Sequence, residues 1–124
     1  MKLRVIEYQH GPEKHLMFEC PGCECSHSVP VNFDAPDKPD KTKKHWGWNG
    51  RYDLPTFTPS ILVTSEHMTK EAYEMIERKE PPKGDKYPTV KTCCHTFVTD
   101  GRIQFLGDCT HKLAGQTVDL PDWD

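Results

Sequence analysis

The sequence predicts a mostly β (α+β) fold: a small antiparallel sheet or partly open barrel, with a zinc knuckle and one inserted helix at about 66–80. Three observations carry this. Eleven prolines and eight glycines cut the chain into short runs, which suits strands and turns better than long helices. Several of those runs alternate apolar and polar residues. Only one stretch has apolar residues at helical spacing.

With 124 residues, of which 35% are hydrophobic and 28% charged, the chain fits one domain with a modest core, taken as 1–124. A core of that size gains from a structural metal. The formal net charge of −3 argues against a nucleic-acid binder, which normally carries a basic face. No apolar run approaches the roughly 18 residues of a membrane-spanning helix. The start Met1-Lys2-Leu3-Arg4-Val5-Ile6-Glu7 turns charged too early for a signal peptide, so a cytoplasmic, reducing setting is expected, in a bacterium or a phage-infected host cell. In that setting six cysteines point to metal binding or reactivity more than to disulfides.

In chain order, residues 2–8 alternate Leu3 and Val5 with charged neighbours and read as a strand, which Gly11-Pro12 ends. His15-Leu16-Met17-Phe18 reads as a second strand running into Cys20-Pro21-Gly22-Cys23. In such a knuckle the glycine allows a tight turn that aims backbone amides at a thiolate, and two sulfurs at this spacing can share one tetrahedral metal. Cys94 is the best long-range third ligand and His27 a reasonable fourth, with Cys25 its local rival; Cys93, Cys109 and His111 are further candidates. Cys93 and Cys109 fit better as small apolar fillers. The expected metal set is therefore Cys20, Cys23, His27 and Cys94.

Residues 34–44 have loop composition, and Lys41-Thr42-Lys43-Lys44 is most simply a solvated loop. Trp46 and Trp48 alternate on a strand before Asn49-Gly50, a hairpin-turn signal, with core packing the commoner fate of such aromatics. Pro55 and Pro59 keep the next segment extended. Ser60 falls where that irregular stretch becomes the apolar strand Ile61-Leu62-Val63, a place where a hydroxyl can be held at a cleft edge. Residues 64–91 form an insert whose helix has Met68, Ala72, Met75 and Ile76 on one face, Ser65 or Thr69 as cap and Pro81-Pro82 as stop. His67 reads as a surface residue.

A two-stranded ribbon follows, turning at Asp100-Gly101. Successive side chains on a strand point to opposite faces, so Cys94 and His95 cannot serve one site. Cys94 shares its face with Thr96 and Val98, and His95 with Phe97. The return strand brings Asp108 back toward His95.

Five segments, Asn49-Gly50, Pro55-Thr56 with Pro59-Ser60-Ile61, Cys94-His95-x-Phe97, Asp100-Gly101-x-Ile103-x-Phe105-Leu106 and Asp108-x-x-His111-x-x-Ala114-Gly115-Gln116-Thr117-Val118, resemble a family of small phage and bacterial proteins of unknown function. That family is related to the BubE-type peptidases of bacterial ubiquitin-like conjugation operons. The resemblance spans 15–33, 45–63 and 92–120, and the helix of 64–91 stands where relatives are expected to have a short loop. It implies a zinc-stabilised serine peptidase of deubiquitinase type, whose partner is a polypeptide, a ubiquitin-like protein or its conjugates, rather than nucleic acid or membrane. Oligomer formation stays open.

On that reading Ser60 is the nucleophile, His95 the base and Asp108 its orienter. Asn49 could add to an oxyanion hole of backbone amides, and His111 is a rival base. The zinc is structural, with all four positions taken by protein. Two other classes compete: a non-catalytic zinc-binding interaction module, and a zinc-dependent hydrolase using His95 and His111. The second lacks an HExxH-type helix.

Overall fold

The computed structural model describes residues 1–7, 14–38 and 45–123. The Gly11-Pro12 break, the Lys41–Lys44 run and the last residue of the first strand reading lie outside those residues. Among the described residues eight strands form two antiparallel sheets. The first holds β1 (Arg4–Glu7), β2 (Lys14–Cys20) and β3 (Cys25–Pro30) in sequential order. The second holds β4 (Gly47–Trp48), β5 (Phe57–Met68), β6 (Thr89–Thr99), β7 (Arg102–Phe105) and β8 (Thr117–Asp119), also in order. A parallel bridge between Val31 and Trp46 links the sheets at one edge, and the pair does not close into a barrel.

Each sheet turns one apolar face inward, which is the usual way two antiparallel sheets build a common core. Leu16, Phe18 and Val29 come from the first sheet; Phe57, Ile61, Val98, Ile103 and Phe105 come from the second. Phe18 meets Phe57 across the layers with ring centroids 6.2 Å apart. Trp48 is buried between Phe33 at 5.8 Å and Tyr52 at 5.1 Å, so it packs rather than lining a groove.

Two turn expectations resolve differently. Asp100 and Gly101 both have positive φ, 50° and 77°, and join Thr99 directly to its partner Arg102, as a two-residue hairpin turn requires. Asn49-Gly50 is not a two-residue turn. It opens a loop over 49–56, because Trp48 pairs with Phe57 and not with the residue after the glycine.

The insert is also less helical than its composition suggests. Residues 64–68 extend β5 and residues 89–91 extend β6, pairing Thr64 with Cys93 through Met68 with Thr89. The helix α1 covers only Lys70–Glu77, capped by Thr69, whose side chain accepts from Ala72 N at 3.1 Å. Ser65 instead bonds His67 and Thr92 on the strand. The helix ends before Pro81-Pro82, because Lys79 turns left-handed at φ 58° and Glu80 N returns to Met75 O. Ala72 and Met75 are buried, while Ile76 is exposed and Met68 belongs to the strand.

Candidate active site and metal centre

The central strand β6 separates two chemistries by its pleat. Cys94, Thr96 and Val98 are buried, while His95 and Phe97 face outward. On the neighbouring strand Leu62 pairs with His95, so Leu62 and Ser60 share that outward face. The β5–β6 register shifts between Phe57 and Ile61, with 58–60 set against residue 97 alone. This bulge, which contains the cis Thr58–Pro59 bond, frees Ser60 from strict ladder pairing. Trp46 Nε1 donates to Ser60 O at 3.2 Å and fixes the backbone there.

Ser60 Oγ lies 3.0 Å from His95 Nε2, and His95 Nδ1 lies 3.1 Å from Asp108 Oδ2. The tautomer with its proton on Nδ1 satisfies both contacts, since Nδ1–H donates to the carboxylate and Nε2 accepts from the hydroxyl. Asp108 reaches this position through a tight turn after β7. Leu106 N donates to His95 O at 2.9 Å, Cys109 N donates to Leu106 O at 3.2 Å, and Thr110 N donates to Cys93 O at 3.0 Å. Cys109 is buried beneath the turn, where its Sγ accepts from His95 N and donates to His95 O, both at 3.3 Å. It is thus a filler that also brackets the backbone of the histidine. Cys93 is half-buried, with its backbone tied to Thr110 Oγ1.

On the inner side, Cys20, Cys23, Cys94 and His111 offer ligand atoms that all lie within 4.8 Å of one another, a group that could hold a metal ion. Cys20 Sγ is 3.8 Å from Cys94 Sγ, and Cys94 Sγ is 3.6 Å from His111 Nε2. The knuckle behaves as expected at its first sulfur, where Cys23 N donates to Cys20 Sγ at 3.4 Å. The hydrogen bond with Cys94 pulls the Cys20 pKa down to about 4, opposed by burial and helped by the nearby His27 and the Cys23 amide. The same contact and burial push Cys94 up. The two buried sulfurs lie close enough to share a proton, so the shifts belong to the pair. Burial, followed by the charge on Cys20, raises Cys23 to about 11.

The expected set of Cys20, Cys23, His27 and Cys94 shares three residues with this group. His111 completes the four-residue group in place of His27. His27 lies two residues beyond Cys25, which pairs with Cys20, and that is about 6.6 Å further along the ladder. It packs edge-on against Phe18 and groups instead with Cys23 and Cys25. His111 is held by an edge-on contact to Phe105 with centroids 4.4 Å apart and by Leu113 N, 3.2 Å from its Nδ1. It therefore faces the metal side and is no rival base for Ser60. The reason for the knuckle glycine also changes. Gly22 is not among the positive-φ residues; a Cβ there would lie 2.2–2.6 Å from the His111 ring. The left-handed residue of the knuckle is Glu24, at φ 56°.

Residues 2–106 match the family described as "Bacterial ubiquitination-like system serine protease (BubE)". The chain belongs to the BubE family. No curated protein and no solved structure matches it. The BubE match takes in Ser60, His95 and the cysteines at 20, 23 and 94, and ends before Asp108 and His111. Those two are therefore placed by geometry alone.

The Asn49 side chain is engaged within its own loop in this BubE-family chain. Its Nδ2 donates to Leu54 O at 2.9 Å and its Oδ1 accepts from Arg51 N at 3.1 Å, so both ends of the amide close the 49–54 loop. Two contributors escape sequence reading, the Trp46 hydrogen bond to Ser60 and the Gly22–His111 approach. Among the described residues no helix is long and apolar enough to cross a membrane.

Proposed function

We propose that this BubE-family chain is a serine peptidase whose nucleophile is Ser60, with His95 as general base and Asp108 as its orienter. The observation that carries the reading is the unbroken line from Ser60 Oγ through the imidazole to the Asp108 carboxylate, at 3.0 and 3.1 Å. Ser60 Oγ attacks the scissile carbonyl while its proton passes to His95 Nε2. The carboxylate stabilises the resulting imidazolium, which returns the proton to the departing amine. Water, deprotonated by the same nitrogen, then releases the acyl group from the serine. Leu62 and Phe97 flank His95 on the exposed face and give an extended polypeptide an apolar surface beside the scissile bond. The family description supports a ubiquitin-like protein or its conjugates as substrate.

The metal in this reading is a structural zinc held by Cys20, Cys23, Cys94 and His111. Tetrahedral zinc with bonds of about 2.3 Å to sulfur and about 2.0–2.1 Å to nitrogen has edges of about 3.8 Å between sulfurs and about 3.6 Å from sulfur to nitrogen. The distances of 3.8 and 3.6 Å agree with those edges. Binding through Nε2 would move the ring proton to Nδ1 and release the Leu113 amide, a local change. The metal ties the first sheet to β6 and the turn behind it, and four protein donors leave no place for a catalytic water.

A fluorophosphonate probe, which esterifies activated serines, tests this. The wild-type protein should be labelled at Ser60, and Ser60→Ala and His95→Ala should lose labelling with metal content unchanged. A folded, metal-loaded wild type that resists the probe favours the interaction-module reading instead.

A further inference from the structure

His27 and Cys25 remain unused by both the proposed triad and the proposed zinc site. His27 is nine-tenths buried, and its Nε2 has no hydrogen-bond partner. A buried imidazole nitrogen left unpaired is costly, so its surroundings call for a ligand. Cys23, Cys25 and His27 offer three ligand atoms within 4.8 Å of one another, a second group able to hold a metal ion. The two groups share Cys23, and both border a cavity of about 500 Å³ between the knuckle and the extended β5–β6 hairpin. Antiparallel pairing of Cys20 with Cys25 and of Phe18 with His27 puts Cys25 and His27 on the knuckle's side of β3.

We propose that Cys23, Cys25 and His27 form a second site for a thiophilic divalent cation of the zinc class, with the Cys23 thiolate bridging it to the cation of the four-residue group. The proposal rests on that first group being occupied. Two thiolates and an imidazole are the donor types such cations prefer, and a thiolate sulfur has lone pairs enough for two metals. Three protein ligands leave a fourth position open toward the cavity, where the first group has none. The second cation therefore binds more weakly and exchanges faster than the first. Binding displaces the thiol proton of Cys25 to solvent, that of Cys23 having left when the first cation bound.

Native mass spectrometry of the full chain titrated with Zn²⁺, and with Cd²⁺ followed by its sulfur-to-metal absorption, tests the proposal. The wild type should take two equivalents. The first Cd²⁺ should raise the absorption by three thiolates and the second by one more. Cys25→Ser, at an exposed strand end, and His27→Asn should each bind one equivalent. A wild type that stops at one equivalent, retained in both variants, overturns the second site and leaves the first intact. A second equivalent that persists in both variants overturns the ligand assignment. A single equivalent that disappears in Cys25→Ser places the cation at Cys23, Cys25 and His27 instead, and overturns both the two-site proposal and the four-residue zinc assignment. A wild type that binds neither metal also overturns both.

Discussion

Gly22→Ala is the sharpest perturbation of the metal centre, because it adds one methyl group and removes no ligand. The new Cβ would stand 2.2 Å from His111 Cε1 and 2.4 Å from its Nε2, where ordinary contact begins at 3.4 Å. The ring must retreat by about 1.2 Å, while metal–ligand distances tolerate only about 0.2 Å. A histidine at a chain end can swing aside cheaply, but this one is packed edge-on against Phe105. The substitution should therefore take His111 out of the coordination sphere. Losing an outer partner of a metal ligand costs 10–100-fold in affinity, so losing the ligand itself should cost at least about 100-fold, or about 2.8 kcal/mol. Competition with a chromophoric chelator measures it. The control is a double-mutant cycle with His111→Ala: once the ring is gone, Gly22→Ala should be close to neutral. Unchanged zinc affinity in Gly22→Ala, or an equal further loss in the His111→Ala background, would refute the reasoning.

Three further outcomes follow from the same geometry. Asp108→Asn should lower the labelling rate by about 10²–10⁴, the upper figure being that of a fully enclosed triad, with little change in melting temperature because the carboxylate is 55% exposed. Trp46→Phe keeps the ring but removes the bond to Ser60 O; it should cost about 1 kcal/mol in denaturant unfolding and slow labelling by about tenfold through a looser nucleophile. Chelation should lower the melting temperature and abolish labelling together. Labelling lost while the near-ultraviolet circular dichroism is still native would promote the metal to a catalytic role.

The chain's own pattern determines much of this protein. Alternation along 92–98 sets Cys94 and His95 on opposite faces, and Cys-Pro-Gly-Cys makes half of the group that could hold a metal, because both depend on spacings of a few residues that backbone geometry alone enforces. Asp100-Gly101 likewise turns its ribbon by local sterics. What lay beyond the sequence involves partners distant in the chain. His111 lies nearest in the sequence to Asp108 and Cys109, yet a short turn sends its ring to the opposite side of β6 from Asp108, where the absent Cβ of Gly22 leaves it room. His27 is a reasonable fourth ligand by chemistry, but strand β3 pairs it with Phe18, and it groups with Cys23 and Cys25. Asn49 was available as a donor until the 49–54 loop used both ends of its amide. The bulge before Ile61 and the indole of Trp46 orient Ser60, and neither follows from the residues around it. Local pattern fixes which face a side chain takes. Only the packing of one sheet on the other decides which donors meet there.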